Sequence, residues 1–574
     1  MQINFLTPRR TVSLTTSDAT AAAVAAPGKS RRDVLVPLSG LLLGMFVAML
    51  ASTVVSSSLP KIIGDLGGTQ AGYTWVVTAT LLATTVSTPI WGKLADLTNR
   101  KLLIQLSLVI FVVGSALAGL AANTEMLIFF RVLQGLGAGG LTALVQVVMA
   151  DIIPPRERGR YMGLLGAVMA VATVGGPLLG GVITDSAGWR WNFYIAVPFA
   201  VIAIIVLQRT LHIPTHKRKV QIDYLGAALI AAGVSLLLIW VTLAGNQFEW
   251  GSAISIVMVV GAVVLLGLAV LTELKVKEPI IPMTLFKNRT FWLAVIASIS
   301  VGVAMFGTSV FLSQYMQLAR GKTPTESGLY TIPMIAGVLV SSIVIGQVIS
   351  RTGKWKRYMV IGSVLLTIGL ALMSTIRYDT SFGLVFLFMF VMGAGVGMVM
   401  QNLVLIVQNA VDPRQIGTAS ASVAFFRSLG GTIGVSVMGA VLGSRITTLI
   451  TDGLVKLGVD PSSVGSLDGG GIPNLSTLPD PMRILVESAY GEAVGDVFLL
   501  GVPLAVISII AIALLPNRTL GTKTSVEQIA ESEAATLVAV AGAEVAGDTV
   551  SEELEDQEAL LARGDRQTQA EKLR

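Results

Sequence analysis

Apolar runs of about 20 residues, the length that crosses a hydrocarbon core of about 30 Å as a helix, recur from Val34 to Leu515. Lipid offers no partner to an open backbone, so runs of this kind satisfy their own N–H and C=O groups as helices. The expected fold class is therefore an all-α membrane protein. Spans are expected at 34–58, ended by Pro60, and then at 72–92, 101–121, 126–149, 161–184 and 191–211. Two more follow at 224–243 and 252–271, and six more at 290–316, 327–349, 358–376, 382–408, 416–448 and 493–515. The total of fourteen falls into blocks of six, two and six.

The blocks set the domain boundaries. Residues 1–33 are expected to be a disordered cytosolic tail, 34–211 an N-terminal six-helix bundle, and 212–289 a central two-helix insert with basic loops. Residues 290–515 form a C-terminal six-helix bundle with one long outer loop at 451–492, rich in Gly, Pro and Ser, and an amphipathic piece at 482–490. Residues 516–574, rich in Ala and Glu, read as a second cytosolic tail. With the N-terminus inside, about 24 Lys and Arg fall in inner segments and about 8 in outer loops, the asymmetry that orients membrane helices. Both termini are then cytosolic.

The same inventory excludes several classes. The net charge of +6 comes from cations scattered through short loops, which argues against a nucleic-acid partner. There is no cysteine, and the only two histidines, His212 and His216, flank one basic loop, so no cofactor or metal is expected. No GxxxxGK[ST] phosphate loop occurs, which removes nucleotide-driven export. A channel would show charged rings or a filter sequence, and neither is present.

The stretch from Leu127 to Gly181 holds two glycine-studded runs joined by a turn with Pro154, Pro155, Arg156, Arg158 and Arg160. Arg131 sits about a turn inside the first run, where a cation costs up to about 2.5 to 3.5 kcal/mol unless its stem snorkels to the interface. Gln134 and Gly135 follow on a face suited to helix contact. Gly135 with Gly139, and Gly176 with Gly180, are small-xxx-small pairs that let backbones approach. Pro177 between the second pair removes one backbone donor and permits a bend.

The six-helix blocks suggest duplication, and the loop after the second span of each tests it. The first reads GKLADLTNRK, from Gly92 to Lys101, and the second GQVISRTGKWKR, from Gly346 to Arg357, with Ser350 where the first has Asp96. The first loop resembles the loop motif of the major facilitator superfamily, with Gly92, Asp96, Arg100 and Lys101 in place. Arg131, Gln134, Gly135 and Gly137 match that family's fourth-helix motif. Gly163, Gly176, Pro177, Gly180 and Gly181 match its fifth-helix antiporter motif, although Ala172 replaces one glycine. GWRWNFYIAVP, from Gly188 to Pro198, is similar to a signature of the fourteen-helix drug:proton antiporter branch.

The resemblance implies two six-helix bundles around a central cavity, rocking between inward and outward access with substrate near the midplane. It implies an exporter of small amphiphilic compounds across the plasma membrane, coupled to protons, with lipid or glycolipid export as the alternative; a monomer is expected. Asp96 beside Arg100 and Lys101 is expected to latch one state by charge pairing. One departure stands out: the branch begins with an aspartate in the first span, and here Ala51 occupies that position. No Asp or Glu is expected near a midplane. Asp96, Glu326 and Asp496, all near span ends, remain the proton candidates. Gln146, Gln401, Asn402, Gln408, Asn409 and Arg427 are the candidates to line a cavity. With Arg131 and Arg427 as the inner charges, neutral or anionic amphiphiles are expected to be favoured over permanent cations.

Overall fold

The computed structural model describes residues 31–67, 70–213, 223–245, 247–459, 479–536 and 539. The N-terminal tail to residue 30, the middle of the long outer loop and the chain from 540 onward lie outside the described residues.

Sixteen α-helices carry the described chain. The first half holds α1 (Arg31–Asp65), α2 (Gln70–Leu97), α3 (Arg100–Gly119), α4 (Thr124–Ile152), α5 (Pro155–Ser186), the short α6 (Trp191–Tyr194) and α7 (Ala196–Thr210). The insert is α8 (Tyr224–Leu243) and α9 (Ala253–Glu273). The second half holds α10 (Arg289–Gln314), α11 (Pro324–Tyr330), α12 (Ile332–Thr352), α13 (Lys356–Met373), α14 (Phe382–Ala410), α15 (Ile416–Lys456) and α16 (Asp480–Ala513). Twelve helical segments among the described residues are long and apolar enough to cross a membrane. Two further long helices, α2 and α5, stand where the second and fifth spans are expected.

Local sequence explains the breaks. Asn99 accepts from the N–H groups of Lys101 and Leu102 and so starts α3, and Asn123 does the same for α4 through Met126. Pro154 and Pro155 open α5, where a missing N–H costs nothing. Gly353, at a φ of +70°, ends α12 in a conformation that suits glycine.

Three boundaries differ from the expectation. Helix α1 continues through Pro60 to Asp65, because one lost N–H weakens a helix without ending it when its apolar face (Leu59, Ile62, Ile63) is buried. Helix α15 runs to Lys456 and α16 begins at Asp480, so the expected outer loop at 451–492 shrinks to 457–479. The amphipathic piece at 482–490 forms the first turns of α16, burying Val486, Ala489, Tyr490, Ala493 and Val494 at helical spacing.

Each half repeats one arrangement. The fourth helix of the block, α4 or α14, is sandwiched between the second and third, α2 and α3 or α12 and α13. Glycines make the close approaches: in the first half a Cβ on Gly135 would come 2.6 Å from the Thr80 carbonyl, and one on Gly114 would come 2.5 Å from the Gln134 amide. In the second half Gly337 and Gly393, and Gly362 and Gly395, play the same part. The insert helices pack on each other, and α8 also touches α2 and α15.

Candidate functional site

The halves meet along two crossed helix pairs, α2 with α15 and α5 with α12. Each pair joins the second helix of one block to the fifth helix of the other. Gly92 on α2 faces Gly417 and Ala421, and Gly346 on α12 faces Gly159, so that a Cβ at either position would overlap the opposite helix. The glycine that opens each copy of the repeated loop is therefore a point of backbone contact between the halves.

Asp96 fills the first of these seams. Its Oδ1 accepts from the Gly417 N–H at 2.8 Å, and its Oδ2 accepts from the N–H and hydroxyl of Thr418, both at 2.7 Å. These donors open α15, where the helix dipole adds to the attraction of a carboxylate. Arg100 stands 3.9 Å from Asp96 and donates to Asp151, which also accepts from the Ser525 hydroxyl at 2.7 Å. Asp96 thus reaches across the seam through helix-terminal donors, with Arg100 behind it. Lys101 turns the other way and donates to the Gln208 carbonyl within its own half.

Arg158, which sequence reasoning placed only in a basic turn, is fully buried and crosses the middle of this end. It donates to the Gln408 side chain of the opposite half and to the carbonyls of Ala150 and Ile153. Gln408 in turn donates to the Gln146 carbonyl at 3.3 Å and to the Ser420 hydroxyl at 2.8 Å. The segment after α16 straps across the same face. The Gly521 carbonyl accepts from Arg156 N, and Asn409 bonds both Thr519 and Gly521.

The six polar candidates therefore separate. Gln146, Gln408 and Gln401 come to the seam, the last through a 3.5 Å approach to Met169 Sδ, and Gln146 and Gln401 each keep a buried side-chain carbonyl oxygen without a partner among the described residues. Asn402 instead donates to Met398 of its own helix, and Asn409 serves the strap.

The two inner arginines differ as sharply. Arg131, 2% exposed, donates to Gln134 at 2.7 Å and to the Val76 carbonyl at 3.4 Å, and Gln134 passes the chain to Ser115. That network is internal to α2, α3 and α4. Arg427, 6% exposed, lies against Gly302, and its Nη1 has no acceptor among the described residues. Its neighbour Ser428 makes a 3.0 Å hydroxyl contact with Thr85 of the other half, so this cation sits beside the seam about three turns above the Asp96 latch.

On α5, a Cβ at Gly176 would overlap Thr53 of α1, and the Ser58 hydroxyl donates to the Gly180 carbonyl at 3.2 Å. Gly181 faces open space, and Pro177 lies inside an unbroken helix. The first-span position Ala51 is buried. All three proton candidates are committed: Asp96 as above, Glu326 to a capping box with Thr323, and Asp496 to Arg445 at 2.7 Å.

Three further features escaped the sequence. Lys93, almost buried on α2, pairs with Glu278 at 2.7 Å, and Asp223 and Glu273 are buried at the ends of α8 and α9. Their only sequence signal is a charge at the edge of an apolar run, which loop residues share.

Comparison with known proteins agrees with this geometry. Residues 41–435 match the model of the Major Facilitator Superfamily. The chain is 37% identical over 431 residues to the "Multidrug transporter protein MdtP" of Bacillus subtilis, covering 74% of this chain and 78% of that protein. It is 31% identical over 488 residues to "Multidrug resistance protein 3" of the same organism, covering 83% and 94%, and 31% identical over 509 residues to the "Efflux pump dotC" of Dothistroma septosporum, covering 88% and 87%. Among solved structures, the proton:xylose symporter XylE aligns over 87% of this chain and all of that one with a TM-score of 0.56 at 13% identity, which speaks to the fold. With twelve apolar membrane-length helices among its described residues and the same helix arrangement in each half, this multi-pass membrane protein belongs to the major facilitator superfamily.

Proposed function

We propose that this chain is a secondary transporter that exports small amphiphilic compounds, drugs among them, from the cytosol across the plasma membrane by alternating access and proton antiport, with both termini in the cytosol. The observation that carries the reading is the seam. One end is closed by glycine contacts and by the Asp96 and Arg158 hydrogen bonds, while polar groups with atoms unpartnered among the described residues, Gln146, Gln401 and Arg427, lie along it further in. A permanently sealed protein would leave few such groups unsatisfied, whereas a carrier leaves them for its cargo. The names of the relatives support the class of cargo.

Arg427 bears on the charge of that cargo. A second cation brought to about 4 Å from it meets a repulsion of about 4 kcal/mol at an effective dielectric of 20. Neutral and anionic amphiphiles are therefore favoured over permanent cations. The test is export from proteoliposomes under an imposed pH gradient, with fluorescein, chloramphenicol and tetraphenylphosphonium as the anionic, neutral and cationic probes. Gradient-dependent export of the first two supports the reading; no gradient-dependent export of any of them defeats it.

A further inference from the structure

The transport cycle needs a proton site, and the three carboxylates that the sequence offers for it are already bonded. A different pair is bonded through one oxygen each and keeps the other oxygen without a partner among the described residues. Asp223 Oδ1 accepts from the N–H of Gly226 at 2.8 Å, and Glu273 Oε2 accepts from the N–H of Ile281 at 3.2 Å. The second oxygen of each, Asp223 Oδ2 and Glu273 Oε1, is buried and has no hydrogen-bond partner among the described residues. Both free oxygens lie against the same point: a side-chain carbon on Gly226 would touch each of them. They are thus at most about 5 Å apart, a range in which like charges disfavour each other's ionisation.

Counting charge sharpens this. Among the described residues, the charged groups that face the pair are Lys93 of α2 and, through its ion pair, Glu278 on the stretch after α9. Among the described residues, no charged group of helix α15, which also packs on α8, bears on Glu273. Lys93 is already engaged by Glu278, so among the described residues the two carboxylates have no cation of their own to balance them. Two buried carboxylates in this position are satisfied by one proton held between them, because the protonated oxygen becomes the donor that the other lacks.

We propose that Asp223 and Glu273 hold one proton between Oδ2 and Oε1, and that this pair at the foot of the two-helix insert is the proton site of the transport cycle. Lys93 provides the link. It follows Gly92, the residue of α2 that packs on α15 across the seam, so opening the seam moves the Lys93 ammonium relative to the pair. Lys93 closer to the pair favours release of the proton, and Lys93 further away favours uptake. The coupling half of this proposal rests on the transport reading; the protonation half does not.

Infrared spectroscopy of the full chain in lipid at neutral pH tests the protonation directly. The carbonyl band of a protonated carboxylic acid is expected in the wild type and is lost in both Asp223→Asn and Glu273→Gln. Glu278→Gln gives a second reading that spares the pair itself. It frees Lys93 to balance the carboxylates, so the band should vanish at lower pH than in the wild type. Unchanged bands in all three variants would overturn the proton site, and so would a band replaced by saturable binding of radioactive sodium ion that Asp223→Asn removes. For coupling, the ratio of gradient-driven to downhill export in proteoliposomes should fall to about one in Glu273→Gln, because glutamine can neither take up nor release the proton. A lost band with an unchanged ratio would leave the proton bound but remove it from the cycle, and no transport in the wild type would defeat the transport reading while the spectra still decide the protonation.

Discussion

The two seams between the halves are alike in backbone and unlike in charge. Where α2 meets α15 and where α5 meets α12, a glycine at the start of the repeated loop lies directly on the opposite helix. At the first seam a carboxylate, Asp96, then reaches three donors at the start of α15. At the second, Ser350 holds the corresponding place and makes no hydrogen bond across the seam among the described residues. Close backbone approach is thus the common requirement, set by the geometry of a duplicated fold in lipid, where packing rather than water drives helix association. The charged latch is an addition to one copy, and it gives the two seams different strengths.

Enlarging the glycines gives the greatest effect. Gly92→Leu and Gly346→Leu each place bulk where the other helix stands, at about 1 to 3 kcal/mol or more for overpacking, and both should abolish export in proteoliposomes while the protein still reaches the membrane. Gly176→Leu should act likewise through the α1 contact at Thr53, whereas Gly181→Leu, which meets open space, should export normally. Normal export by Gly346→Leu would show that the second seam never closes in the cycle.

Removing the buried cross-bridge comes next. Arg158→Gln strands the Gln408 carbonyl and takes away a fully buried donor, a loss of about 1 to 3 kcal/mol, and should lower the midpoint of thermal unfolding in detergent by several degrees. An unchanged midpoint would mean that Gln408 finds another donor.

Separating the two seams by charge is a subtler change. Asp96→Asn keeps the shape and loses the charge assistance, about 1.5 to 3 kcal/mol for hydrogen bonds to an ion, so export should fall about tenfold. Ser350→Ala should stay within about twofold, as for a surface change. Equal losses in the two would remove the asymmetry. The smallest effect is expected from Lys101→Gln, which alters only a bond to Gln208, within about 0.5 kcal/mol; a loss as large as that of Asp96→Asn would return Lys101 to the latch.

The fold was largely legible because apolar length and glycine spacing are one-dimensional signals. Gly135 and Gly176 could be singled out for close contact from sequence alone, Gly92 only as the start of a repeated loop, and none of the three has room for a side chain. The outer loop was overestimated because the start of α16 carries Arg483, Glu487 and Glu492, whose charges mask a helical apolar face. The site was legible only in part. Arg131 and Arg427 look equivalent in sequence, each an arginine in a glycine-containing run, yet one is closed into a side-chain network and the other keeps a free donor. That difference depends on what α2, α3 and α10 bring alongside. Asp223 and Glu273, 50 residues apart, were indistinguishable from loop charges until the insert folded them onto Gly226.

The central claim, that Asp96 and not its counterpart Ser350 sets how firmly the halves close at this end, is open to a distance measurement. The chain has no cysteine of its own, so spin labels can be placed cleanly at Arg209→Cys on the first half and Lys354→Cys on the second, both exposed at the basic end. Double electron–electron resonance in lipid should show a dominant short distance in the otherwise unaltered chain. Asp96→Asn should transfer population to a longer distance, and Ser350→Ala should leave the distribution as it was. A distribution untouched by Asp96→Asn, or shifted equally by Ser350→Ala, would contradict the account.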